Sequence, residues 1–233
     1  MLYFSSFLKT DFQNSASTQN LFAALEANGV KYALLPNTRD IWMRDFMPVR
    51  RKDGKYISFR YEPTYLNLAI QLRTNFRKDI SGQFWTFDPD YDNVIYSDIN
   101  LDGGNVVFSP SRETIIISER VFTENPHRER GELIQQLEEL LMAKVILIPS
   151  LPPAEDMTGH ADGMVRFVDE HTVLGNDVPE ENGLEQAIKK VLEQHGIQAI
   201  DFPYYSSPGI SAEGCYLNYL ETYDHIFLPV FGS

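Results

Sequence analysis

Gly159-His160-Ala161-Asp162-Gly163-Met164-Val165-Arg166-Phe167-Val168, carried across Asp169-Glu170-His171 into Thr172-Val173-Leu174-Gly175, is the stretch on which the reading of the fold turns. Two short β-type runs, Met164 to Val168 and Thr172 to Gly175, joined by three residues, read as paired strands. A helix follows over Leu184 to His195, where Leu184, Ile188, Val191 and Leu192 form one apolar stripe and Gly196 supplies the stop. The same order stands upstream. Val106 to Phe108 and Thr114 to Ser118 pair across Ser109-Pro110-Ser111-Arg112, a helix over Pro126 to Met142 carries the stripe Leu133, Leu137, Leu140 and Leu141, and the strand Lys144 to Ile148 closes the group. A strand-strand-helix-strand unit that recurs predicts a structural repeat, although the two copies share no obvious residues.

Outward from these units, further strands are expected at Leu2 to Leu8, Tyr32 to Leu35, Tyr56 to Tyr61, Val94 to Tyr96 and His225 to Pro229, with helices at Ser17 to Asn28 and Pro63 to Asp79. Short β runs alternating with helices indicate an α/β fold, and with no Pro- or Ser-rich linker residues 1–233 are expected to form a single domain. The composition, 43% hydrophobic and 23% charged, is that of a globular chain. Twenty basic residues against 33 acidic ones give a formal charge of −13, which repels nucleic acid and anionic membrane surfaces. A single cysteine, Cys215, permits no intrachain disulfide and no zinc knuckle. Met1 to Lys9 lacks a basic n-region and a cleavage site, and no run approaches the roughly 20 apolar residues of a spanning helix, so a cytoplasmic location is expected.

Four polar clusters could carry chemistry. Trp42-Met43-Arg44-Asp45 reads by itself as a strand end with Arg44 and Asp45 in a surface ion pair. Asp102-Gly103-Gly104-Asn105 reads as a turn. In the third cluster, an extended chain from Gly159 would place His160 and Asp162 on one face, as two metal ligands, a general base beside its charge partner, or a salt-bridged strand edge. The remaining histidines, His127, His171, His195 and His225, fall in helix or turn contexts, so no metal and no organic cofactor are expected. In the fourth, Gly214 to Leu220 reads as a strand, and Cys215 as a small buried hydrophobe.

Taken in order, W-M-R-D, L-D-G-G-N, G-H-A-D-G-M-V-R-F-V-D and C-Y-L-N-Y-L resemble the motifs of the agmatine deiminase and bacterial peptidylarginine deiminase family, over nearly the whole chain. The resemblance implies the pentein fold, an α/β propeller of repeated strand-strand-helix-strand units around a central cavity, here lacking the last unit. It implies Asp45, Asp102, His160 and Asp162 as catalytic residues converging on that cavity. Asp45 and Asp162 would hold the substrate guanidinium, His160 would be the general acid/base, and Asp102 stands where the family commonly carries Glu. Trp42, Arg44 and Asn218 are the implied substrate-binding residues. A guanidinium is planar, permanently charged and matched to carboxylates in bidentate geometry, so these side chains suit it on chemical grounds as well.

In the family the nucleophilic cysteine belongs to a G-G-x-x-H-C segment beyond the strand that resembles Tyr216 to Gly232, and residues 1–233 are expected not to contain it. The expected partner is a small cationic guanidino substrate, with a homodimer among the assemblies open to the chain. Two alternatives stand beside the hydrolase: a non-catalytic binder of guanidino or amine ligands, and an amidinotransferase of the same fold.

Overall fold

The computed structural model describes residues 2–10, 13, 15–36, 38, 41–65, 93–177, 183–204 and 214–231. In chain order the elements are β1 (Leu2–Ser5), α1 (Phe7–Thr10), α2 (Ala16–Ala27), β2 (Tyr32–Leu35), α3 (Met43–Phe46), β3 (Val49–Arg50), β4 (Tyr56–Arg60), β5 (Val94–Asn100), β6 (Val107–Phe108), β7 (Thr114–Ser118), α4 (Arg120–Glu124), α5 (Arg130–Leu141), β8 (Lys144–Ile148), β9 (Val165–Phe167), β10 (Thr172–Asp177), α6 (Leu184–Gln194), β11 (Gln198–Pro203), β12 (Leu220–Glu221) and β13 (Ile226–Phe227).

Three of the sheets repeat one plan. β6 and β7 form an antiparallel hairpin, α5 crosses over, and β8 returns parallel to β7 with Ile116 opposite Ile146. β9, β10, α6 and β11 do the same, with Val173 paired to Phe167 on one side and Ala199 on the other. β3, β4 and β5 make a third copy of the pairing. The helix expected over Pro63 to Asp79 would fall in its connection, and from residue 66 that stretch lies outside the described residues. The helices are required by geometry, since a parallel return cannot be made by a tight turn. β1 pairs parallel with β2 through α2, and β12 pairs antiparallel with β13. Among the described residues the sheets are separate and form no closed barrel.

β7 explains how the repeats adhere. Its run Thr114-Ile115-Ile116-Ile117-Ser118 alternates faces, sending Ile115 and Ile117 into one core with Leu133, Leu137 and Leu141 of α5, and Ile116 into a second with Val165, Val173, Ile188 and Leu192. Each fully buried Leu or Ile contributes roughly 1.5–3 kcal/mol by leaving water.

Several expected boundaries shift for local reasons. β1 stops at Ser5, because its buried hydroxyl bonds Thr38 Oγ1 at 2.6 Å and accepts from Phe7 N at 3.1 Å, opening α1 where a strand to Leu8 was expected. α5 begins at Arg130 instead of Pro126, since the Glu129 carboxylate accepts from Glu132 N at 2.8 Å and caps the helix there. Gly196 follows α6 at φ +72°, the left-handed conformation that ends a helix. β11 fills the last place of its strand-strand-helix-strand unit, for which no residue range was expected, because its mixed pattern of exposed and half-buried residues gives little alternation.

Candidate functional site

Each hairpin is entered through a short helical turn. α3 precedes β3, a 3₁₀ turn Gly103–Asn105 precedes β6, and a 3₁₀ turn Ala161–Gly163 precedes β9. Cys215 makes an isolated antiparallel bridge with Tyr204, and Tyr216 and Leu217 form a turn ahead of β12, so of the strand expected over Gly214 to Leu220 only that bridge and Leu220 are extended pairings. The first three turns pack on one another, and their side chains make the site.

The close approach depends on the paired glycines. A Cβ on Gly103 would collide with the Arg44 carbonyl, and one on Gly104 would lie 2.5 Å from both Asp45 Oδ1 and His160 Nδ1. The Asp102-Gly-Gly-Asn segment is therefore a packing joint and not only a turn. Buried Asn105 ties the joint together, its Oδ1 accepting from Ser118 N at 2.9 Å and Ala161 N at 3.2 Å. Asp45 Oδ1 accepts from Gly104 N at 3.1 Å.

This packing places His160 between two carboxylates. Nε2 lies 2.9 Å from Asp102 Oδ2, and Nδ1 lies 3.6 Å from Asp45 Oδ1. Tyr65 donates its hydroxyl to the same Asp102 oxygen at 3.3 Å. Asp162 does not share a strand face with His160, because the chain here is helical instead of extended. It reaches the cluster through Arg44, whose Nε lies 2.7 Å from Asp162 Oδ2 while Nη2 donates to the Val106 carbonyl at 3.0 Å. The expected Arg44–Asp45 surface pair is thus replaced: Arg44 pairs with Asp162 across the site, and Asp45 turns inward. Trp42 stands 55% exposed at the start of α3. Asn218 is exposed in the segment whose Leu217 and Tyr219 carbonyls accept from Arg166 Nη1 at 3.1 and 2.7 Å.

Burial and like charge set the protonation states. Burial disfavours the charged imidazole, but the hydrogen bond to Asp102 and the charges of Asp45, Asp102 and Asp162 together outweigh it and raise the His160 pKa to about 9. Burial, with the neighbouring Asp162 and Asp102 carboxylates, pushes Asp45 up to about 7 against the opposing pull of His160. Asp162 is also raised by burial, opposed by Arg44 and His160. With His160 and Arg44 charged and all three acids ionised, the cluster carries one net negative charge.

Cys215 is 6% exposed, its thiol directed at the Gly163 carbonyl at 3.4 Å and pushed up by burial. That environment suits a packing residue, since a reactive thiol needs a depressed pKa. Among the described residues no group of three His, Cys, Asp or Glu side chains is arranged to hold a metal ion, and no helix is long and apolar enough to cross a membrane. Sequence reasoning passed over Tyr65, which no motif marks, and Arg120. Arg120 is 3% exposed, donates to the Leu151 and Asp156 carbonyls at 3.2 and 2.6 Å, and packs beneath Gly159, where φ is +59°.

Agmatine deiminase of C. jejuni superposes with a TM-score of 0.64 at 18% identity, covering 93% of this chain and 66% of that one. Agmatine deiminase of Enterococcus faecalis gives 0.62 at 16%, covering 91% and 69%. DDAH from Pseudomonas aeruginosa gives 0.52 at 13%, covering 91% and 71%. The chain therefore spans about two thirds of the length of these structures and shares their pentein-type α/β fold. No curated protein matches it in sequence. The family model for Porphyromonas-type peptidyl-arginine deiminase matches residues 9–233, and the chain belongs to that family.

Proposed function

We propose that this chain is a guanidino-group hydrolase of the agmatine deiminase type, with its repeat units set as propeller blades around the site. The observation that carries the reading is His160 held between Asp102 and Asp45, with a guanidinium, that of Arg44, already seated on Asp162. Such a cluster has an excess of carboxylate, which suits a cation, and an imidazole charged at neutral pH, which suits a leaving amine.

In the reaction Asp45 and Asp162 hold the substrate guanidinium and fix its central carbon. A cysteine thiolate adds to that carbon, forming a C–S bond. His160 gives its proton to the departing nitrogen, which leaves as ammonia. Neutral His160 then takes a proton from water as the oxygen attacks the same carbon, and the thiolate departs to leave the ureido product. Asp102 stabilises the charged imidazole throughout. Cys215, buried against Gly163, is not placed for the thiolate's part, so residues 1–233 supply binding and proton transfer.

Calorimetric titration with agmatine and with putrescine, which keeps the amine and lacks the guanidinium, tests the binding. Agmatine is expected to bind and putrescine not; equal affinity would overturn the reading. Ammonia release from agmatine and arginine, measured on residues 1–233 beside Cys215→Ala, is expected to be nil for both. Turnover abolished by that substitution would place the nucleophile at Cys215.

A further inference from the structure

Tyr65 stands next to the imidazole without belonging to any of the four motifs. Its ring meets His160 edge-on with centroids 6.3 Å apart, and its hydroxyl donates to Asp102 Oδ2, the oxygen that His160 Nε2 also engages. Burial and the Asp102 charge keep the phenol protonated, so it is a standing donor. The backbone that carries it is clamped to the strand that carries Asp102. Thr64 donates through N at 3.1 Å and through Oγ1 to the Glu124 carboxylate, which also accepts from Asn100 Nδ2 at 3.0 Å. Asn100 in turn binds Glu62 through both ends of its amide, at 2.7 and 2.9 Å, two residues before Asp102. One half-buried knot thus fixes both ends of the Tyr65–Asp102 bond.

We infer that Tyr65, held by the Glu124–Asn100 clamp, is a positioning residue that shares the Asp102 oxygen with His160 and so sets how firmly the imidazole keeps its proton. The inference rests on the reading of His160 as the proton-transfer group. A hydroxyl bonded to a carboxylate oxygen draws off part of its charge, leaving less to stabilise the imidazolium. The other charged groups around His160 are Asp45, Asp162 and, through Asp162, Arg44 and Arg166; Glu124 acts on Asp102. Removing the phenol oxygen deletes none of these charges, though it takes away the hydroxyl 3.4 Å from that of Tyr61.

The test is the His160 titration followed by NMR on the ligand-free chain, the resonance assigned by its loss in His160→Gln. In Tyr65→Phe the midpoint is expected to move up by about half a pH unit. Glu124→Gln, which loosens the clamp without touching Tyr65, is expected to move it the same way by less, and it serves if Tyr65→Phe does not fold. A midpoint that stays fixed in both, or falls toward that of free imidazole as a merely loosened site would give, overturns the inference. Agmatine titration of the same samples keeps the two readings apart: a shifted midpoint in a chain that does not bind agmatine leaves the positioning intact and removes the guanidino function.

Discussion

Asp102 caps the 3₁₀ turn that enters one hairpin and Asp162 lies within the 3₁₀ turn that enters the next, and the two are held in opposite ways. The Asp102 side chain is 7% exposed, and its partners His160 and Tyr65 are both fixed by packing. Asp162 is 20% exposed, and its partner Arg44 is 54% exposed, on a long side chain with solvent within reach. Entry turns of one repeat plan can therefore use a carboxylate for two tasks. Where the partner is buried the carboxylate becomes part of the scaffold, and where the partner can leave it becomes a socket. Buried pairs are costly to break from one side, because the remaining charge is stranded, whereas exposed pairs are worth about 0–1 kcal/mol.

Breaking the buried pair is expected to have the largest effect. In Asp102→Asn, His160 keeps its burial and loses its strongest support, so its midpoint should fall by about 2 pH units. Agmatine turnover by any form carrying a competent thiolate would fall with it, because the imidazole would no longer be charged at neutral pH. An NMR midpoint that stays near 9 would show that Asp45 alone holds the proton, and the contrast between the two carboxylates would collapse.

The contrast was only partly legible in the sequence. Thr114 to Ser118 and Lys144 to Ile148 were readable because unbroken β-branched and apolar runs leave no other element, and the Leu133, Leu137, Leu141 stripe because one helical face must be buried. The Asp-Gly-Gly and His-x-Asp motifs were visible as polar clusters, but not their conformation. Three residues of 3₁₀ turn after Gly159 defeat the alternation rule that would have put His160 beside Asp162. Arg44 and Asp45 looked like partners because they are adjacent, yet neighbours on a helical turn point apart, and each found its partner in another unit. Tyr65 had no local signature, since its importance lies in a contact 37 residues away.

The middle-sized effect concerns Asp45, which lies between the two extremes, buried yet lacking a cation of its own other than His160. Its raised pKa means that folding favours the protonated acid, so its contribution to stability is present below about 4 and is lost as pH rises toward 7; the contribution of His160 is present below about 6.5 and is lost as pH rises through 9. A guanidinium needs Asp45 ionised, which is about a tenth of the population at pH 6 and about nine tenths at pH 8. Agmatine affinity is thus expected to rise about tenfold over that interval, agmatine itself keeping its charge throughout. Calorimetry at the two pH values checks it. In Asp45→Asn the pH dependence should vanish along with most of the affinity, and a tenfold rise surviving that substitution would assign the titration to another group.

The smallest effect tests the socket. If Arg44 sits on Asp162 as an exchangeable guanidinium, an incoming ligand must displace it, and the cluster's single net negative charge already includes the Arg44 cation. Arg44→Gln removes the competitor, leaves a side-chain amide able to donate toward the Val106 carbonyl, and makes the cluster more negative by one charge. Part of the gain is returned, because Asp162 then loses the cation that opposes its burial and its pKa rises further. The balance favours the ligand, since a pair whose cation is exposed contributes about 1 kcal/mol and the bound guanidinium restores the missing charge. Agmatine affinity at pH 8 is therefore expected to rise about threefold, with folding stability changed by less than about 0.5 kcal/mol. A fall in affinity would mean that Arg44 orients Asp162 for the ligand instead of occupying its place, and both carboxylates would then belong to the scaffold.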